Sequence, residues 1–160
     1  MLRLDIIRHA KAKKLSISGQ DIDRKLSKRG ILQAMLLANF ILKDNIWNHP
    51  FILCSHSTRT RQTAEYICGD DKKLLSSVTY REDLYLASSS FMLQYLMKFE
   101  SDVHHIVIIG HNNGISELLS YLSGEARMMS TGSFYSLQLN IDHWNELHSG
   151  CAEVLHSFFQ

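Results

Sequence analysis

"HIVIIGHNNGISELLSYLSG" (His105–Gly124) passes from one kind of apolar order to another. Ile106 to Ile109 form a continuous β-branched run, as in a strand buried on both faces of a sheet. After the polar "HNN", Gly114 opens a helical pattern, and Gly124 is suited to the left-handed position that closes a helix. A strand covered on both sides and followed at once by a helix belongs to an α/β domain with a parallel sheet.

The same alternation runs through the rest of the chain. "LRLDIIRH" (Leu2–His9) reads as a first strand. Ser27 caps a predicted helix from about Lys28 to Lys43, with Ile31, Met35, Ala38 and Leu42 expected on one apolar face. "FILCS" (Phe51–Ser55) is a second strand, and Ser57 or Thr58 opens a helix towards Cys68. "SVTYRE" (Ser77–Glu82) is a weaker strand, followed by a helix in "SSSFMLQYLMKF" capped by one of Ser88 to Ser90. "SFYSLQLNI" and "AEVLHSFF" close the chain as two strands with no helix between them. The expected fold is a three-layer αβα domain over residues 1–160, with a mainly parallel central sheet and one antiparallel edge strand.

The 160 residues suit one domain. With 45% hydrophobic and 21% charged residues and a formal net charge of +1, nothing favours nucleic acid or an anionic membrane. Asp5 and Arg8 interrupt the first apolar stretch, which excludes a signal-peptide core. No apolar run approaches the roughly 18 residues of a membrane span. Cys54, Cys68 and Cys151 lack zinc-knuckle or redox-pair spacing, so reduced thiols and a cytoplasmic location are expected.

Ligands of parallel sheets bind beyond the carboxyl ends of the strands. Three such ends carry unusual polar groups: Arg8 and His9, Ser55 to Arg61, and His111 with Asn112 and Asn113. Two histidines and at least two arginines around one point suit a tetrahedral dianion, because guanidinium groups offer fixed paired donors. Cys54 is excluded as the nucleophile of a cysteine-dependent phosphatase loop, since the arginine would have to stand where Thr60 does. His104 and His105 have no third ligand nearby in sequence and are not read as a metal site. His56 reads as an exposed turn residue, and Lys11, Lys13 and Lys14 as a solvated basic run.

These segments also resemble a known family. "IIRHAKA", "DIDRKLSKRGILQA", "CSHSTRTRQTA", "LYLAS", "IVIIGHNNGISEL" and "STGSFYSL" occur in the order found in the histidine phosphatase (phosphoglycerate mutase-like) superfamily, closest to its SixA-type phosphohistidine phosphatases. The resemblance implies that His9 is the nucleophile and that Arg8 and Arg59 bind the phosphoryl group. It implies that His111 hydrogen-bonds the phosphoryl oxygens and that no metal or other cofactor is needed. The implied substrate is phosphohistidine on a signalling or phosphotransfer protein. A small phosphorylated compound handled by a broad phosphomonoesterase, or a phospho-binding protein with weak turnover, is the alternative.

Many members of that superfamily use a carboxylic acid to protonate the leaving oxygen. Glu82, Asp83 and Asp21 are the candidates here, none of them in a matched motif. Arg61 lies roughly 200° around a helix from Arg59 and is expected to face solvent.

Overall fold

The computed structural model describes residues 1–100 and 102–160. Its strands are β1 (Leu2–Arg8), β2 (Phe51–Ser55), β3 (Val78–Arg81), β4 (His105–Gly110), β5 (Phe134–Leu139) and β6 (Ala152–Phe158). The helices are α1 (Lys28–Lys43), α2 (Thr58–Cys68), α3 (Lys72–Ser76), α4 (Ser89–Leu96) and α5 (Gly114–Ser123). One six-stranded sheet has the order β3-β2-β4-β1-β5-β6. The pairings β3–β2, β2–β4 and β4–β1 are parallel. The antiparallel pairings are those of β5 with β1 and with β6, so β5 is the strand that runs against its neighbours.

Alternation along the strands sorts side chains between two cores. Leu4, Ile6, Leu53, Ile106 and Ile108 pack with Met92, Leu96, Ile115 and Leu119 of α4 and α5. Ile7, Ile52, Cys54, Val107 and Ile109 face the other way, onto Leu37, Ile41 and Ile67 of α1 and α2. The expected three layers follow from this division.

Helix starts lie where hydroxyl caps predict them. Ser27, Ser57 and Ser88 each accept a hydrogen bond from a backbone N–H in the first turn of α1, α2 and α4. Gly124 closes α5 with φ of 72°. The short α3 was not expected from the sequence pattern.

The buried face of α1 differs from the expected one. Gly30, Gln33, Ala34, Leu37, Ala38 and Ile41 are buried, whereas Met35 and Leu42 are 49% and 73% exposed. Gly30 is the cause. A Cβ there would lie 2.0 Å from the Lys11 carbonyl oxygen, so the helix is turned to put its bare Cα against that backbone. The Lys11 carbonyl also accepts from the Ser27 backbone N–H at 2.8 Å and hydroxyl at 3.0 Å. The start of α1 is thereby pinned to the loop that leaves β1.

Asp5 is fully buried within β1 and accepts from the Trp47 indole N–H at 2.8 Å and the Arg3 guanidinium at 3.2 Å. His105 Nε2 stands 3.0 Å from the same carboxylate. Among the described residues, no helix is long and apolar enough to cross a membrane.

Gly30→Ala should lower the free energy of unfolding by about 1–3 kcal/mol, read from the urea midpoint. Intrinsic propensity alone would stabilise the helix by about 1 kcal/mol. A raised midpoint would show that the close approach to Lys11 does not fix α1.

Candidate active site

At the ends of β1 and β4 the chain leaves the sheet side by side. Arg8 pairs with Gly110, and the His9 N–H donates to the Gly110 carbonyl at 3.2 Å. His9 and His111 are the next residues outwards, and their ring centroids are 5.1 Å apart. The third contribution comes from α2, whose first turn presents Arg59 after the Ser57 cap. Arg59 Nε donates to His9 Nε2 at 3.3 Å. The His9 Nδ1–H in turn donates to the Ala10 carbonyl at 2.8 Å. This fixes the tautomer, leaving the lone pair on Nε2.

The four residues singled out from sequence line one pocket of about 400 Å³, together with Lys11, Ala12, Asp21, Arg24, Leu86, Asn112 and Thr131. His9, Arg59 and His111 are buried, at 8%, 2% and 3% exposure. Arg8 is half-buried and donates through Nη1 to the Met129 carbonyl at 2.8 Å. Its buried Nε has no partner among the described residues, and neither has Nδ1 of His111. His111 Nε2 lies 2.8 Å from the Ser55 hydroxyl. With Ser55 donating to Nε2, the remaining N–H sits on Nδ1. Two buried polar atoms without protein partners thus belong to residues that line the pocket.

Both histidines are held neutral. Burial lowers the His9 pKa to about 4, opposed by the Ala10 carbonyl and aided by the charges of Arg59, Arg8 and Arg24. Burial likewise lowers His111 to about 3, with His9 and Arg59 adding to the effect. The neighbouring arginines therefore contribute to the neutral state of His9, but burial contributes more.

The sequence motif around Arg59 serves mostly to hold the site together. Thr63 accepts from the Ala10 backbone N–H at 3.1 Å and donates to the Arg59 carbonyl at 2.7 Å. Gln62 accepts from the Leu26 N–H at 2.8 Å, tying α2 to the loop before α1. Arg61 departs from its expected place in solvent. It is half-buried, donates to the His56 carbonyl at 3.0 Å and lies over the Tyr80 ring at 4.3 Å. His56 is likewise half-buried rather than exposed, because its turn packs beside β3, where its N–H donates to the Arg81 carbonyl at 3.1 Å. Cys54 is fully buried, and burial pushes its thiol well above the ordinary range.

The three candidate acids separate. Glu82 and Asp83 begin a 3-10 turn after β3 and do not line the pocket. Asp83 pairs with Arg81, whose hydrogen bond holds its carboxyl below the usual range. Asp21 is the carboxylate lining the pocket among the described residues. The Tyr85 hydroxyl donates to Asp21 Oδ2 at 2.5 Å, Arg59 Nη2 donates to the same oxygen at 2.9 Å, and Arg24 Nε donates to Oδ1 at 2.8 Å. These bonds, Tyr85 foremost, hold its pKa down at about 2, so it is ionised at neutral pH. Of the basic run, Lys11 reaches the pocket lining, while the side chains of Lys13 and Lys14 are exposed.

Sequence reasoning missed Arg24, Tyr85, Leu86 and Thr131. Each falls inside a segment that carried the family resemblance; Arg24, Leu86 and Thr131 line the pocket, and Tyr85 acts on it through Asp21, 64 residues away in sequence.

Comparison with known proteins bears on the fold and the family. An uncharacterized chloroplastic protein of Arabidopsis thaliana is 30% identical over 152 residues, covering 90% of this chain and 69% of its own length. The structure of a candidate phosphohistidine phosphatase SixA from Nakamurella multipartitia superposes with a TM-score of 0.82 at 22% identity, over 99% of this chain and 95% of that one. A protein histidine phosphatase SixA complexed with tungstate gives 0.80 at 22% identity, over 98% and 96%. The family model of the histidine phosphatase superfamily (branch 1) matches residues 4–85, just over half of the 160, and the chain belongs to that superfamily.

Proposed function

We propose that the chain is a single histidine phosphatase domain, residues 1–160, that hydrolyses phosphohistidine through a covalent intermediate on His9, with no metal. The observation that carries this reading is the charge state of the pocket. A neutral imidazole with its lone pair on Nε2 stands among arginines, and Asp21, the carboxylate that lines the same pocket among the described residues, is ionised.

The lone pair of His9 Nε2 attacks phosphorus, and the bond from phosphorus to the leaving nitrogen breaks. The electron pair departs with the substrate imidazole. Arg8, Arg59 and the His111 N–H stabilise charge on the equatorial oxygens during transfer. Water then attacks phosphohistidine-9, releasing phosphate and restoring the free imidazole. Arg59 Nε, which in the free protein donates to Nε2, turns to the phosphoryl oxygens when the substrate takes that position.

The leaving group discriminates among substrates. An alkoxide needs a proton as it departs, and an ionised Asp21 has none to give. A substrate imidazole already protonated on its other ring nitrogen leaves as a neutral molecule and needs no such acid. The substrate class is thus a phosphoramidate, on a phosphorylated histidine of a signalling or phosphotransfer protein. A cytoplasmic setting accompanies this reading.

Phosphate release should be faster from phosphohistidine peptides than from simple alkyl phosphates, and His9→Ala should reduce it by more than about a thousandfold. Faster cleavage of alkyl esters would overturn the phosphoramidate assignment. Unchanged release by His9→Ala would overturn the nucleophile.

Titration offers a second check. Both folded-state histidine pKa values lie below the unfolded value of about 6.5, so the unfolded chain binds more protons between about 4 and 6.5. Stability is therefore full above about pH 6.5 and is lost as pH falls through that window, on the order of 3 kcal/mol for His9. Imidazole resonances of His9 and His111 should show no protonation at pH 5.5 in the free protein. Titration of either near 6.5 would refute the neutral, buried site.

A further inference from the structure

We propose that Asp21 is a charge filter at the pocket mouth, selecting against phosphorylated small molecules that carry a carboxylate near the phosphoryl group. The inference rests on the phosphatase reading of the pocket and names what that pocket rejects.

Asp21 belongs to a 3-10 turn, Asp21–Asp23, and its side chain is 49% exposed while still lining the pocket. It bridges two of the pocket arginines, taking Arg24 on one carboxylate oxygen and Arg59 on the other. Its backbone carbonyl also accepts from Arg59 Nη1 at 2.8 Å. The carboxylate is not free to swing away. Tyr85 holds it by its hydroxyl, follows the buried Leu84, and sets its ring edge-on to His111 at 5.4 Å and 88°.

In-line attack by His9 Nε2 sends the leaving group to the side of phosphorus opposite that nitrogen, within the pocket that Asp21 and Arg24 also line. A leaving group bearing a carboxylate would find Arg24 and Arg59 already paired and a fixed negative charge between them. A neutral or cationic leaving group, such as an imidazole ring, meets no such repulsion. The phosphoryl group is common to all substrates, so its own interaction with Asp21 cancels when two esters are compared. Lys11 lines the same pocket and attracts carboxylates, which is the opposing effect. Changing Asp21 leaves Lys11 untouched and isolates the filter.

The test compares phosphoglycolate with ethyl phosphate, two esters that differ chiefly in a carboxylate. Their dissociation constants are measured by calorimetry on the wild-type chain, Asp21→Asn and Asp23→Asn, alongside phosphate release from phosphoimidazole. Asparagine removes the charge and keeps one acceptor, enough for Arg59 and Tyr85, while an amide nitrogen replaces the oxygen that takes Arg24. Asp21→Asn should tighten phosphoglycolate relative to ethyl phosphate by about tenfold, the scale for one partly exposed charge close by. Asp23, outside the pocket lining, should leave that ratio unchanged when substituted. An unchanged ratio in Asp21→Asn, an equal shift in Asp23→Asn, equal tightening of both esters or no binding of either overturns the filter. Failure of phosphoimidazole turnover with the ratio shifted would instead remove the phosphohistidine assignment and leave the filter standing.

Discussion

The parallel register between β1 and β4 is the constraint on which the site depends. Arg3 lies against His105 and Arg8 against Gly110, so the two strands end level and His9 and His111 emerge together. That register is locked from both faces. Leu4 and Ile6 belong to the α4/α5 core and Ile7 to the α1/α2 core, with Ile108 and Ile109 of β4 divided likewise. A slip of one residue would exchange the faces and force buried Asp5 among apolar side chains on the α4/α5 side. The closeness of the two histidines is therefore a consequence of core packing. The site needs no separate device to bring them together.

Packing also settles the protonation states. A histidine left in water would be partly protonated near neutrality and would lose its nucleophilic lone pair. Placing His9 at 8% exposure makes the charged form costly before any arginine acts. The arginines then add repulsion in the same direction, while remaining cations themselves. Asp21 offsets part of their accumulated charge without lending a proton, because Tyr85, Arg59 and Arg24 all stabilise its ionised form. In the proposed reaction the same cations would serve an incoming dianion and a neutral imidazole at once.

Much of this was legible in the sequence. β-Branched runs located the central strands, and serine hydroxyls located the helix starts, because both are local effects. His9, Arg8, Arg59 and His111 stood out because the strand-end rule and the ordered motifs pointed to the same positions. The apolar face of α1 was read incorrectly because Gly30 carries no hydrophobic signal, yet its contact with the Lys11 carbonyl sets the helix rotation. Asp21 stood among the candidate acids, but its link to Tyr85 was hidden for a related reason. They are 64 residues apart, and only the folded loops bring carboxylate, phenol and Arg59 into one cluster. The half-buried state of Arg61, on α2, depended on Tyr80, a partner on β3.

Under the proposed mechanism, the contrast between Cys54 and His9 is one of position. Both stand near the carboxyl end of a parallel strand, and a thiolate is intrinsically the better nucleophile. Cys54, however, is still within β2, one residue short of its end, where alternation turns the side chain into the α1/α2 core beside Ile7 and Ile109. Its thiol is fully buried and stays protonated. His9 is one residue past the end of β1, where the sheet no longer imposes a core-facing direction and the side chain joins the pocket lining. A thiol in this layer would need desolvation reversed before it could react. An imidazole just beyond it needs only to remain neutral, which burial already ensures.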